Sequence, residues 1–500
     1  MKHLSSLTFK IALAVNSFSV LFNVINDCDE TYNYWEPLHF IATKGEGGGF
    51  QTWEYSPSFG LRSYLYLWLF GWPSYLSFLI GLPNWLAFLL VRLLLGLFSA
   101  FSISLLSSTV ATCVFKKNHK ETGELDSAKQ KILLSFLLSF CCCVSPGNFL
   151  SSTTILPSGP SASLSALMLS FWLRRRNFLA VGCVAFTRSC CLAFAAILGI
   201  PLAVYMVYMF RTKAVSENNF SDKHNISRPY VSSIVCASLL LWNSVFFLQS
   251  HKEERFLFPC YPFIGVASSL FAFGLVESSK SNTKHKWVKH AASFIAFVLC
   301  SLIFLMTISR IVTLVRWYGS PLFLVRHLPV SLSPSNKPLL CIGREWHYFP
   351  SRFLLPGGGK NWRVGFVQSA FAGQLPGQFA KPLSSGVVSS STRIDGNRFN
   401  SENLEETDRF ITNESDECNF ILDRDSPPGV REKLYVADRE IWFSLVNRTI
   451  LEPNNCITNA TLFGLDLIFN CHFLRIFYVP IFSEKVDHKT NLHILARYSN

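Results

Sequence analysis

Asp27, Asp29 and Glu30 place three carboxylates within four residues, directly after the first apolar run of the chain. At the lip of a membrane segment such a cluster is costly unless water or a cationic partner meets it. A carboxylate held there could act as a general base, taking a proton from a hydroxyl as the hydroxyl attacks. A second polar cluster, His251, Lys252, Glu253, Glu254 and Arg255, stands between two later apolar runs. Its cations could hold a leaving phosphate. Acid at one membrane edge and base at another read as one site built from two loops.

Each feature also has a plainer reading. The three acids could be a solvated lip, and the 251–255 cluster could pair with itself and fix helix ends. Arg92 and Arg188 lie inside apolar runs, where they could snorkel or pair locally. Trp35, Trp53 and Trp68 read as interface anchors rather than sugar platforms. On the residues alone the chain is a polytopic membrane protein with a lumenal site, and whether that site is catalytic stays open.

The elements that must position these residues follow from composition. The chain has 500 residues, 50% hydrophobic and 15% charged, well below the roughly 25% charged of a soluble domain. Its mean hydropathy is +0.29. The net charge of +13 could serve nucleic acid or an anionic membrane face. The Lys and Arg cluster in short loops between apolar runs, with no basic stripe of interleaved aromatics, so membrane topology explains the charge better. Nucleic acid is not expected as a partner.

Residues 7–25 read as an uncleaved first transmembrane helix rather than a signal peptide. Residues 26–84 read as a long loop with aromatic segments, a flexible turn at 45–49, and a short apolar stretch at 63–72 that is interfacial or re-entrant. Further spans are expected at 85–115, 132–144 and 159–173, with a Ser/Thr/Pro/Gly loop at 145–158. The run 178–210, interrupted by Arg188 and by Gly199 with Pro201, gives two crossings, and 231–248, 257–276 and 291–308 give three more. That makes about nine. With the N-terminus cytosolic, the basic loops 116–131, 174–177, 211–229 and 277–290 face the cytosol. The loops 26–84, 145–158 and 249–256 then face the lumen, a clear positive-inside pattern. The expected fold is a polytopic α-helical membrane protein: residues 1–319 as the transmembrane catalytic region with first lumenal loop 26–84, and 320–500 as a C-terminal lumenal α+β domain. Strand-like patches occur at 362–367 and 476–481.

Ten of the 15 Cys fall in apolar runs and read as small buried hydrophobes. No Cys-x-x-Cys pair occurs, which argues against zinc. In a lumenal tail Cys341, Cys418, Cys456 and Cys471 could form one or two disulfides, with pairing open. Sequons at Asn413, Asn447 and Asn459 agree with a lumenal tail, whereas Asn219 and Asn225 fall on the cytosolic side and are expected to be unmodified. The sequence has no P-loop, no metal-ligand cluster and no Ser/His/Asp signature. A sugar donor carried on a lipid fits better than a nucleotide sugar, and neither a metal nor another cofactor is required.

Three stretches carry a family resemblance. They are residues 27–37 (Asp-Cys-Asp-Glu-Thr-Tyr-Asn-Tyr-Trp-Glu-Pro), 49–57 (Gly-Phe-Gln-Thr-Trp-Glu-Tyr-Ser-Pro) and 251–259 (His-Lys-Glu-Glu-Arg-Phe-Leu-Phe-Pro). They resemble the dolichyl-phosphate-mannose-dependent mannosyltransferases of glycosyltransferase family 22, in the GT-C superfamily. Further matches at 152–158, 341–356, 373–376, 403–406 and 477–480 extend it along most of the chain. The resemblance implies a GT-C fold in the endoplasmic reticulum membrane. It implies inverting transfer of mannose from dolichyl-phosphate-mannose to a dolichyl-diphosphate-linked oligosaccharide, through an α-1,2 linkage, in N-glycan precursor assembly. It puts the base in the first lumenal loop, on Asp29 with Glu30 close behind and Asp27 nearby. His251, Lys252 and Arg255 would hold donor or acceptor phosphate, a role inferred from charge. One departure stands out: in 211–229 the family pattern calls for two further crossings and a loop, and this chain has a short polar stretch. A shortened, inactive isoform is therefore one alternative. A polytopic lipid transporter is another, disfavoured because the polar clusters sit at lumenal edges and no internal repeat is seen.

Overall fold

The computed structural model describes residues 2–56, 58–115, 124–215, 228–250, 252–280, 286–330, 337–379, 399–451, 457–462, 465–470 and 489–498. They form two compact units, one of residues 1–21 and 93–308, the other of residues 22–92 and 309–500.

The first unit is helical: α1 (Lys2–Phe22), the greater part of α5 (Asn84–Val114), α6 (Glu124–Cys143), α7 (Pro146–Ser151), α8 (Ser158–Leu173), α9 (Asn177–Cys190), α10 (Ile200–Val215), α11 (Arg228–Leu248), α12 (Tyr261–Lys280) and most of α13 (Lys286–Thr313). In α8 every residue except Phe171 is buried. Its Ser, Ala and Gly side chains let neighbours approach closely, and Ser161 and Ser170 return their hydroxyls to the carbonyls four residues back at 2.7 Å. Around it Leu106, Phe115, Leu138, Trp172, Trp242 and Phe263 belong to one apolar core. Elsewhere large apolar side chains face outward, such as Phe297 and Leu305 of α13, as lipid-facing surface requires.

Among the described residues four helices are long and apolar enough to cross a membrane: Asn84–Val114, Pro229–Leu248, Glu254–Glu277 and Phe297–Tyr318. Two shorter apolar helices, Ser6–Phe22 and Ala193–Met209, accompany them. The expected break near Gly199 and Pro201 is real: α9 ends at Cys190, a 3-10 stretch Ala193–Gly199 follows, and α10 begins at Ile200. The expected loop 145–158 instead contains α7, with Gly147 through Leu156 buried.

The second unit holds a five-stranded mixed sheet in the order β3-β2-β5-β9-β6, from β2 (Leu339–Ile342), β3 (Arg363–Phe366), β5 (Phe420–Arg424), β6 (Trp442–Leu451) and β9 (Lys489–Arg497). Strand β2 runs parallel to both its neighbours, and β9 antiparallel to both of its own. Leu339, Ile421, Trp442 and Leu495 belong to the core behind it, and Cys341 is disulfide-bonded to Cys418. The patch 362–367 thus contains a strand. Residues 476–481, Cys456 and Cys471 lie outside the described residues.

Residues 26–84 are not a loose loop. They fold as α2 (Cys28–Glu30), a π-helical turn Thr31–Trp35, α3 (Glu36–Ala42), strand β1 (Phe50–Gln51), a 3-10 turn Trp53–Tyr55 and α4 (Tyr64–Leu79). Strand β1 pairs with β4 (Gly377–Gln378) of the C-terminal region. The turn at 45–49 is ordered rather than flexible: Gly45 and Gly48 supply positive φ, and a Cβ on Gly49 would lie 2.7 Å from the Glu36 carbonyl. The stretch expected at 63–72 runs on as helix through Pro73 to Leu79, with Leu65, Trp72, Leu76 and Leu79 outward, as an interfacial helix would have them.

Candidate active site

Pro37 determines how the carboxylate segment is wound. It has no N–H to donate four residues back, to Asn33. The Glu36 N–H bonds Thr31 across five residues, and the freed Asn33 carbonyl accepts the Tyr55 hydroxyl at 2.5 Å. The helix widens into a π turn there, a form that recurs at functional sites. Across that turn Trp35 Nε1 donates to Glu30 at 3.1 Å. Trp35 is wholly buried against Phe88 and Phe353, so it is a core residue and not an interface anchor. Trp53 and Trp68 are each more than a third exposed.

The three carboxylates receive different environments. Asp27 caps the helix, its Oδ1 accepting the Asp29 N–H at 2.9 Å. Glu30 is buried, bonded by Trp35 and within electrostatic reach of Arg92. Arg92 itself donates to the Asn23 carbonyl at 2.7 Å and lies over the Phe88 ring, so it pairs locally. Asp29 is half-buried at the first turn. Donor atoms of Asp27, Cys28 and Asp29 lie within 4.8 Å of one another, a spacing a cation could bridge.

The C-terminal region fastens this segment. Thr31 Oγ1 donates to the Phe349 and Pro350 carbonyls at 3.1 and 2.9 Å. Tyr32, its phenol kept protonated by burial and by Glu36, donates to the Trp346 carbonyl at 2.7 Å. Glu36 is buried and bound by Arg352. Just before Trp346, burial pushes Glu345 up to about 7 against the pull of Arg424 and Arg344. His39, neutral because burial lowers it to about 3, sits against the Gly48 carbonyl at 3.1 Å. In the same region, Glu54 holds Arg62 in a two-pronged pair at 2.9 and 3.0 Å. Burial opposes the Arg62 charge, but Tyr34 and Glu54 outweigh it and keep the guanidinium protonated well above its ordinary range.

Of the second cluster, His251 lies outside the described residues. Lys252 is exposed. Arg255 is ion-paired with Glu253 and lies over the Phe256 ring, so self-pairing of this segment is real for that residue. Sequence reasoning missed Thr31, Tyr32, Glu36 and Arg352. Pro37, next to a buried-type run of aromatics, was the available signal for the helix, and the paired matches at 27–37 and 341–356 for its partner.

The comparisons extend along the whole chain. Human alpha-1,2-mannosyltransferase ALG9 is 28% identical over 98% of this chain and 88% of its own length. Alpha-1,2-mannosyltransferase algn-9 of Caenorhabditis elegans is 29% identical over 98% and 90%. ALG9 of Saccharomyces cerevisiae is 27% identical over 83% of each. The human alignment runs over 584 positions against a chain of 500 residues, so at least 84 positions of that relative face gaps here. No solved structure matches significantly. The pattern of the Alg9-like mannosyltransferase family matches residues 7–226 and 219–356. These matches cover well over half of the chain, which belongs to the Alg9-like mannosyltransferase family.

Proposed function

We propose that the chain is an inverting α-1,2-mannosyltransferase of N-glycan precursor assembly. It moves mannose from dolichyl-phosphate-mannose to a dolichyl-diphosphate-linked oligosaccharide at the lumenal face of the endoplasmic reticulum. The observation that carries the reading is the full-length likeness to proteins named alpha-1,2-mannosyltransferase. Within it, we place the base in the first lumenal loop, on Asp29 with Glu30 close behind and Asp27 nearby, as the resemblance implies. The acceptor 2-hydroxyl attacks the anomeric carbon, Asp29 takes its proton, and the bond to the dolichyl phosphate oxygen breaks with inversion from β to α. The departing phosphate carries the negative charge, for which His251, Lys252 and Arg255 are the assigned cations. We assign no cofactor, and we read the 27–29 cluster as helix cap plus base rather than as a metal site. The test is transfer by the whole chain in microsomes supplied with dolichyl-phosphate-mannose. The product should lose its new mannose to an α-1,2-specific mannosidase. An inert wild-type chain would instead support the shortened, inactive form.

The same reading has nine crossings, a cytosolic N-terminus, and residues 320–500 as a lumenal domain. Asn413 and Asn447 are exposed. Both should carry an N-glycan, so Asn413→Gln and Asn447→Gln should each abolish one endoglycosidase-sensitive gel shift. Asn219 and Asn225, which lie outside the described residues, should stay bare. Glycans on those two, or none on the tail, would overturn the topology.

A further inference from the structure

We propose that Arg352 is a positioning residue for mannosyl transfer, acting through Glu36 on the place of the Asp29 carboxylate; this rests on Asp29 being the base. Glu36 has no solvent exposure and uses both oxygens on one short segment. Its Oε1 accepts the Arg352 N–H at 2.8 Å and the Ser351 hydroxyl at 3.4 Å, and its Oε2 accepts Arg352 Nη1. Arg352 is in turn braced. Its Nη2 donates to Gln378 at 3.2 Å, Gln378 donates to the Val364 carbonyl at 2.6 Å, and the guanidinium lies 4.5 Å over the Phe50 ring. The anchor therefore reaches α3, β1, β3 and β4 at once.

Glu36 follows Asp29 by seven residues on one continuous helical path, α2 into the π turn into α3. Backbone hydrogen bonds run through this path, so a shift at Glu36 is carried to Asp29. The two other fasteners, Thr31 and Tyr32, donate neutral hydroxyls to carbonyls, bonds weaker than one made by a charged donor to a charged acceptor. The buried ion pair is different: its charge-assisted bond ties α3 to the 352 segment and, through Gln378, to β4, and so sets the direction of Glu36. The planar guanidinium joins Glu36 through Nη1 and Gln378 through Nη2, a fixed fork that a lysine does not reproduce. A base must sit within about 2.6–3.2 Å of the proton it takes, and a displacement of about 1 Å can cost on the order of 10²-fold.

The experiment measures kcat and KM for donor and acceptor with the full chain in microsomes. It compares wild type, Arg352→Lys, the uncharged pair Glu36→Gln with Arg352→Met, and each of these combined with Asp29→Asn. We expect Arg352→Lys and the uncharged pair to lower kcat by on the order of 10²-fold with both KM values unchanged. In the Asp29→Asn background neither should lower it further, because the effect passes through that carboxylate. The uncharged pair leaves no buried charge unmatched, so it should accumulate and unfold thermally like wild type. Wild-type kcat in a folded variant, or an equal further loss in the Asp29→Asn background, overturns the proposal while leaving the base assignment intact. Failure of both variants to accumulate makes the pair structural and also overturns it. Wild-type turnover by Asp29→Asn alone overturns the base assignment instead.

Discussion

Asp29→Asn should leave mannose transfer about 10²–10⁴-fold slower than wild type, the range a general base supplies. Asparagine keeps the shape of the side chain and removes only its basicity. The Asp29 backbone N–H still meets Asp27 Oδ1, so the first turn should persist and substrate KM values should move little. The neighbours provide the contrast. Asp27→Asn preserves a good helix cap and should be the mildest of the three. Glu30→Gln alters a buried group bonded by Trp35 and facing Arg92. It leaves the Arg92 charge without its compensation, which favours loss of folded protein over a selective loss of kcat. Initial rates of radiolabelled mannose transfer, normalised to folded enzyme, separate these cases. An Asp29→Asn enzyme as fast as wild type would remove Asp29 from the chemistry.

What could be read from the sequence was what is local. A long apolar run declares itself residue by residue, and the span expected at 85–115 is α5, Asn84–Val114. The interruption at Gly199 and Pro201 declares itself too, because proline cannot donate within a helix. The length of the short apolar stretch at 63–72 was less legible, since α4 continues past Pro73 to Leu79. Ser74 and Ser77 there return hydroxyls to the Gly71 and Pro73 carbonyls. Contacts between distant residues left no such trace. Thr31 with Pro350 and Glu36 with Arg352 are separated by more than 300 residues. Composition showed Glu36 only as one more acid beside Asp27, Asp29 and Glu30. Trp35 shows the same limit, since an indole beside a membrane segment reads as an anchor until its burial against Phe88 and Phe353 is seen. The acidic cluster itself was visible, while the burial of Glu30 and the capping by Asp27 needed the geometry.

Removing the Cys341–Cys418 disulfide should destabilise the second unit by about 4.5 kcal/mol, from the loop-closure entropy of a bridge spanning 77 residues. Cys341 lies in β2 and Cys418 just before β5, the strand that β2 pairs in parallel. Parallel pairing between strands far apart in sequence has a large closure cost, which the bridge removes from the unfolded chain. Both sulfurs are buried in the sheet core beside Leu339, Ile421 and Leu495, so Cys→Ala pairs also leave a small cavity. The consequence should reach catalysis. Strand β2 ends at Ile342, and the chain runs directly into Trp346, Phe349, Pro350 and Arg352, the groups that hold Thr31, Tyr32 and Glu36. A frayed β2 therefore loosens the seat of Asp29. Cys341→Ala with Cys418→Ala should lower the thermal midpoint in detergent and the yield of active enzyme together. Mass-tagged maleimide should label these two thiols only after reduction. Labelling of both without reduction, or an unchanged thermal midpoint in the double variant, would remove the bridge from this account.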